Sequence, residues 1–232
     1  MTYPGARRQQ PDPLIEEQIA YYRERAAEYD ATSSPGGDPF APFGEEIERA
    51  VHDFAPRGDL LEIASGTGTW TKLLVQHADA LTALDAAPEM HDQSRVKLGD
   101  DPRVRYVVAD VFTWEPDRRY DVVFFANWLS HVPRARFDDF WEVVRASLKP
   151  GGRVFLVDEA ADAWRREEWH EEFTSRENAG VVKRPLLDGR TFNVVKVFWE
   201  PDELKARLAG LGWTVEVNLS GPFLYATASR RE

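Results

Sequence analysis

Apolar residues follow two rhythms along this chain. In LIEEQIAYYRERAAEYD, Leu14, Ile19, Tyr22 and Ala26 recur at helical spacing with charges between them, which predicts an amphipathic helix from Pro13. The run SSPGGDPFAP (33–42) breaks that helix, and a second is expected from about Phe43 to just before Pro56 and Gly58. From Asp59 the rhythm shortens. Apolar strands are predicted at 59–64, 80–84, 104–108, 120–126 and 153–157. Helices are expected between them at 69–78, from Pro88, and at 134–148, the last stopped by Lys149-Pro-Gly-Gly. The segment DVVFFA is apolar at every position, as in a strand buried on both faces. Strands alternating with helices imply right-handed crossovers and a mostly parallel sheet.

Beyond Asp158 the pattern changes. Residues 162–178 read as a charged, Trp-bearing helix, and 181–199 as two strands turning at Asp188-Gly189. A short helix at 201–210 and a closing antiparallel pair at 213–217 and 223–228 complete the chain. The expected organisation is a mobile tail (1–13), a helical lid (14–55) and one α/β core (56–232) with a hairpin insertion near 181–199.

Composition narrows the chemistry. The chain has 232 residues, enough to bury a full core without disulfide or metal. It contains no cysteine, which removes thiolate metal sites and a cysteine nucleophile. With 29 basic and 40 acidic residues the net charge is −11, so nucleic acid is not an expected partner. The longest strongly apolar run, Val122 to Ala126, falls far short of the ~20 residues that span a bilayer, and no apolar signal opens the chain. A cytoplasmic protein without membrane contact is expected, and the sequence leaves monomer and homodimer open. No histidine cluster has metal-ligand spacing, and no GxSxG elbow or Walker loop is present.

The strongest motif is LEIASGTGT, a strand running through a glycine turn into a helix. Backbone N–H groups there can approach a ligand closely, aided by the helix start. A dinucleotide loop would want G-x-G-x-x-G, but Thr71 holds the third position, and Glu62 would repel a pyrophosphate. A cationic nucleoside such as S-adenosylmethionine reverses that sign. Glu62 read structurally is instead a strand-end ion pair or a loop-ordering hydrogen bond. Asp85 closes the second strand, where an acid accepts ribose hydroxyls. Read structurally, it caps the helix at Pro88. Asp110 closes the third strand and can take the exocyclic amine of adenine, with Val111 or Phe112 against the ring. Its structural reading is a strand-end cap.

Five motifs in order, LEIASGTGT, TALDAAPEM, VVADVF, DVVFFANWLSHV and LKPGGRVFLVDE, resemble the class I S-adenosylmethionine-dependent methyltransferases of small-molecule type over about residues 58–160. The resemblance implies a Rossmann-like, doubly wound α/β fold. Its seven-stranded sheet would be mostly parallel, with an antiparallel C-terminal strand and an N-terminal helical lid. It implies S-adenosylmethionine as cofactor and S-adenosylhomocysteine as product. Glu62 would lie near the methionyl amine, and Ala64, Ser65, Gly66 and Gly68 would form the loop. Asp85 would hold the ribose with Ala86 and Met90 beside it. Asp110, Val111 and Phe112 would receive the adenine, and backbone at Ala126 and Asn127 would approach the methionyl part. Tyr22 and Tyr29 resemble lid tyrosines that reach the cofactor carboxylate, although packing is the ordinary fate of such aromatics. Ala64-Ser65 stands where many members have Gly-Cys or Gly-Ala.

His131 follows the fourth strand at the ligand-binding edge and is the candidate general base; a structural role is its other reading. Trp128, Asp158, Glu159 and Trp164 are candidates for an acceptor pocket. Arg184 and Arg190 can hold an acidic acceptor if they turn inward, or balance surface acids if they turn outward. The expected activity is methyl transfer to an oxygen or nitrogen of a small molecule. The alternatives are a non-catalytic S-adenosylmethionine-binding module and a nicotinamide-dependent reductase on a similar sheet.

Overall fold

The computed structural model describes residues 12–33, 41–161 and 180–231. The predicted tail (1–11) and the predicted charged helix (162–178), with Trp164, lie outside the described residues. Asp12 and Pro13 belong to the first helix instead of the tail: the Asp12 carboxylate accepts the Leu14 N–H at 3.0 Å, and Pro13 opens the first turn.

Seven strands form one sheet in the order β3-β2-β1-β4-β5-β9-β8. They are β1 (Gly58–Ile63), β2 (Ala78–Asp85), β3 (Val104–Val108), β4 (Tyr120–Ala126), β5 (Leu148–Glu159), β8 (Trp213–Ser220) and β9 (Phe223–Arg230). Neighbours from β3 through β5 pair in parallel, whereas β9 runs antiparallel to both β5 and β8. The Lys149-Pro-Gly-Gly stop arches out within β5: Tyr120 faces Leu148, but Val122 already faces Arg153.

Alternation along the strands builds two cores. Leu61, Ile63, Val123 and Phe125 face α6 (Phe137–Ser147) and α7 (Pro201–Gly210), where Phe140, Trp141 and Leu204 are fully buried. Leu60, Val122, Phe124 and Phe155 face Ile47 and Val51 of α3 (Ala41–Phe54) and Leu74 of α4 (Thr69–Leu74). Each such side chain contributes roughly 1.5–3 kcal/mol on burial, and Val122–Phe125 at the centre of β4 are all buried and apolar. The third helix therefore belongs to the sheet's flank.

Helix α1 (Pro13–Arg25), the short α2 (Tyr29–Ser33) and α5 (Pro88–Leu98) gather at the carboxyl end of the sheet. The hairpin β6 (Val181–Pro185) and β7 (Thr191–Val195) forms a separate two-stranded sheet. It packs Val182, Leu186 and Val194 against Tyr21 of α1.

Candidate functional site

The strand order reverses between β1 and β4, the crevice where open α/β sheets bind ligands. A cavity of about 750 Å³, counting the solvent in its mouth, opens there. Its floor comes from the strand ends and its roof from α1 and α2.

Two non-glycine residues at this edge take left-handed backbone: Ala64 after β1 (φ 54°) and Asn127 after β4 (φ 51°). Such a conformation costs an L-residue roughly 1–2 kcal/mol, and both residues line the cavity. Gly68 is required twice over. Its φ is 82°, and a Cβ there would lie 2.2 Å from Ser94 Oγ.

The loop is held from beneath by carboxylates. Asp85 Oδ2 accepts the Gly66 N–H and Oδ1 accepts the Ala87 N–H, both at 2.9 Å. Burial raises the Asp85 pKa to about 6 against the backbone N–H groups of Ala87, Gly66 and Ala86. Asp85 does not cap α5, whose N-cap is Ala87 without a side-chain bond; it orders the turn before that helix and lines the cavity, and each oxygen keeps a second lone pair for a ligand hydroxyl. Glu62 is buried behind the loop and accepts from Thr71 Oγ1 at 2.7 Å, which is the loop-ordering bond. Burial drives its pKa to about 8. Asp110 lines the cavity beside Val111 and also accepts the Phe112 N–H at 3.0 Å, so the strand-end cap leaves it on the cavity wall.

Of the sequence-predicted residues, Tyr22, Tyr29, Ala64, Gly66, Asp85, Ala86, Met90, Asp110, Val111, Ala126, Asn127, Trp128 and His131 line this one cavity. Ser65 turns instead toward His91, with Oγ 3.3 Å from Nε2. Gly68 serves the start of α4, and Phe112 packs beneath the Arg136 guanidinium. Asp158 is tied down by the N–H groups of Ser130 and Glu159. Glu159 pairs with the buried Lys196 ammonium at 3.1 Å. Arg190 turns outward to Glu24 and Asp188, whereas Arg184 is half-buried and its charge bears on His131 and Glu159. Sequence reading missed Ile15, Gln18 and Ile19 of the roof, and the buried Lys196 that pairs with Glu159. Gln18 stands one turn before Tyr22, and Lys196 is a single charge inside NVVKVFW; those are the signals that could have found them.

His131 is buried between the roof and the hairpin. Its Nδ1 lies 2.7 Å from the Val195 carbonyl and its Nε2 2.9 Å from the Tyr22 hydroxyl. Burial, then the charge of Lys196, lowers its pKa to about 3, so the ring is neutral at physiological pH.

The chemistry of these donors and acceptors fits S-adenosylmethionine. Acids close two adjacent strands, a glycine turn precedes a helix, and apolar side chains flank the third strand's end. Comparison with known proteins agrees. A family model described as "Methyltransferase domain" matches residues 60–152. The chain is 47% identical to a solved structure of DhpI in complex with SAM and HEP, covering 95% of this chain and 100% of that one with a TM-score of 0.80. It is 31% identical over 145 residues to the demethylmenaquinone methyltransferase of Clavibacter sepedonicus, 60% of this chain and 56% of that protein. It is 29% identical over 82 residues to malonyl-[acyl-carrier protein] O-methyltransferase 1 of Ilyobacter polytropus, 34% of this chain and 31% of that protein. The chain therefore spans about a third to just over half the length of these two curated relatives.

Proposed function

Since the chain belongs to the class I S-adenosylmethionine-dependent methyltransferases, we propose that it transfers a methyl group from S-adenosylmethionine to an ionised oxygen of a small acidic molecule. When bound, that cofactor supplies a methyl activated on a sulfonium. The protein's own work is to bind, orient and exclude water.

Asp85 and Asp110 would hold the nucleoside, and the turn at Ala64–Gly66 would carry the amino-acid end. Ile15, Ile19 and Trp128 wall the cavity with apolar surface. The observation that carries the acceptor class is the pairing of a weak base with two cations. His131, with its pKa near 3, is too feeble to deprotonate a hydroxyl, and both ring nitrogens already have partners. Glu159 is raised by burial but held net below the usual range by Lys196 and then Arg184, so it is a weak base too. An acid oxygen arrives deprotonated and needs neither. Lys196 and Arg184 also favour an anion over an ammonium. His131 on this reading orients neighbours and is not the general base.

The first test is thermal stability with S-adenosylmethionine, S-adenosylhomocysteine and NADPH. A ligand at ~100 times its Kd adds about 2.7 kcal/mol. We expect a shift with the first two that Asp85→Ala abolishes, and none with NADPH. A panel of carboxylic and phosphorus acids, neutral alcohols and amines then follows, with S-adenosylhomocysteine formation as readout. Turnover confined to acids, with a KM raised tenfold or more in Lys196→Met, is the expected result. Turnover of amines alone would overturn the acceptor class. Binding without any turnover would favour the cofactor-sensing alternative.

A further inference from the structure

Gln18 is buried at 2% exposure, in the middle of the roof helix, and it uses both ends of its amide. Its Oε1 accepts the Val195 N–H at 3.0 Å, and its Nε2 donates to the His131 carbonyl at 3.2 Å. The carbonyl of the same residue, in the next peptide group along β7, lies 2.7 Å from His131 Nδ1. One side chain of α1 thus closes a ring through β7 and the turn at Leu129–His131. Glu17 does the equivalent one register step away, accepting the Asn193 N–H at 2.7 Å. Helix α1 therefore takes the place of a third strand along the open edge of β7.

The ring fixes proton positions. A carbonyl can only accept, so His131 Nδ1 carries the hydrogen and Nε2 of the neutral ring is bare. The Tyr22 hydroxyl, 2.9 Å from Nε2, must then be the donor. Its proton is spent on His131, and it has none to give a carboxylate. Tyr22 meets the cavity with lone pairs alone.

We infer that Gln18 is a positioning residue: by clamping Val195 through its N–H and His131 through its carbonyl, it holds His131 as the Nδ1–H tautomer and makes Tyr22 Oη an obligate hydrogen-bond acceptor toward the bound ligands. This rests on the proposed methyl-transfer reading only for its consequence in turnover; the proton arrangement stands without it. Free histidine side chains favour no such enforced form, so the arrangement has a spectroscopic signature.

The test uses the full chain labelled with ¹⁵N-histidine. The His131 signals are assigned by their loss in His131→Gln, and long-range ¹H–¹⁵N correlations read the tautomer. Wild type is expected to show Nδ1 protonated and Nε2 bare. Gln18→Met, close in shape but without hydrogen bonds, is expected to lose that pattern. Gln18→Glu, which keeps the acceptor for Val195, is expected to retain it, and it preserves the test if the Met variant fails to fold. In turnover, Tyr22→Phe is expected to lower kcat in wild type at least fivefold and less than twofold further in the Gln18→Met background. An unchanged tautomer in Gln18→Met, or full multiplication of the two effects, overturns the inference. Absence of turnover in wild type would count against the methyl-transfer reading and leave the tautomer result to decide this one.

Discussion

At the scale of single residues, the site is built from groups held against their solution preferences. Glu62 and Asp85 are carboxylates lifted by burial to about 8 and about 6. Their folded pKa values exceed the unfolded ones, so the folded state binds more protons. Stability is lost as pH rises from about 4 toward 8 and levels off above. Glu62→Gln keeps an acceptor for Thr71 and removes the ionisation. It is expected to melt several degrees above wild type at pH 8 and within about a degree of it at pH 5, read by scanning fluorimetry. An equal difference at both pH values would refute the assignment. On the proposed reading, in which Glu62 sets a negative charge behind the loop for a cationic ligand, the same variant is expected to bind S-adenosylmethionine more weakly. Ala64 is a second case. Replacing it with Gly relieves the left-handed backbone, and a gain of about 1 kcal/mol in urea unfolding is expected. Much of the site could be read before the structure, because Asp85 and Asp110 close strands and Gly66 sits in a turn, all features of local sequence. Gln18 and Lys196 could not be read, because their meaning depends on Val195 and Glu159, partners 177 and 37 residues away.

At the scale of elements, β3, β4 and α7 fall where periodicity puts them, and the departures have tertiary causes. The first predicted helix is two: α1 stops at Arg25, where Ala26 seats against Ala87 and Met90, and the chain turns before Tyr29 restarts it. No breaker residue marks that bend. α4 ends at Leu74, short of the predicted 78, because Ala78 is already recruited into β2 opposite Gly58. The bend lets α1 and α2 each fasten to α5. Arg23 grips Glu89 with two nitrogens, and Lys97 meets Asp30 at 2.7 Å while Asp30 also accepts from Thr67 of the glycine loop. Exposed pairs of this kind are worth ~0–1 kcal/mol each, so they are too weak to matter for global stability. They are well placed to govern how often the roof opens. The double variant Arg23→Gln/Asp30→Asn is expected to melt within about 2 °C of wild type and to release S-adenosylhomocysteine several-fold faster in stopped flow. Wild-type release is expected to accelerate with added salt, and release from the double variant to be salt-independent.

At the scale of the whole molecule, charge and site oppose one another. The net charge of −11 would repel the proposed acidic acceptor at long range, while Lys196 and Arg184, the charges that bear on His131, would attract it only at close range. Salt screens the distant repulsion more than the buried attraction. The KM for an acidic acceptor is therefore expected to fall between about 10 and 150 mM salt and to flatten beyond. A KM that climbs steadily over that range would mean that exposed cations do the binding. Among the described residues no helix is long and apolar enough to cross a membrane.

The antiparallel strand has a consequence for the order of synthesis. β9 lies between β5 and β8, yet it follows both in the chain. While the ribosome is still short of Phe223, β8 has no neighbour in the sheet and β5 is a bare edge. That edge ends in Asp158 and Glu159, which later face Leu224 and Phe223. The parallel half of the sheet and its crevice thus precede the antiparallel closure, and a stall in translation before β9 would leave a sticky half-sheet on the ribosome for chaperones to cover.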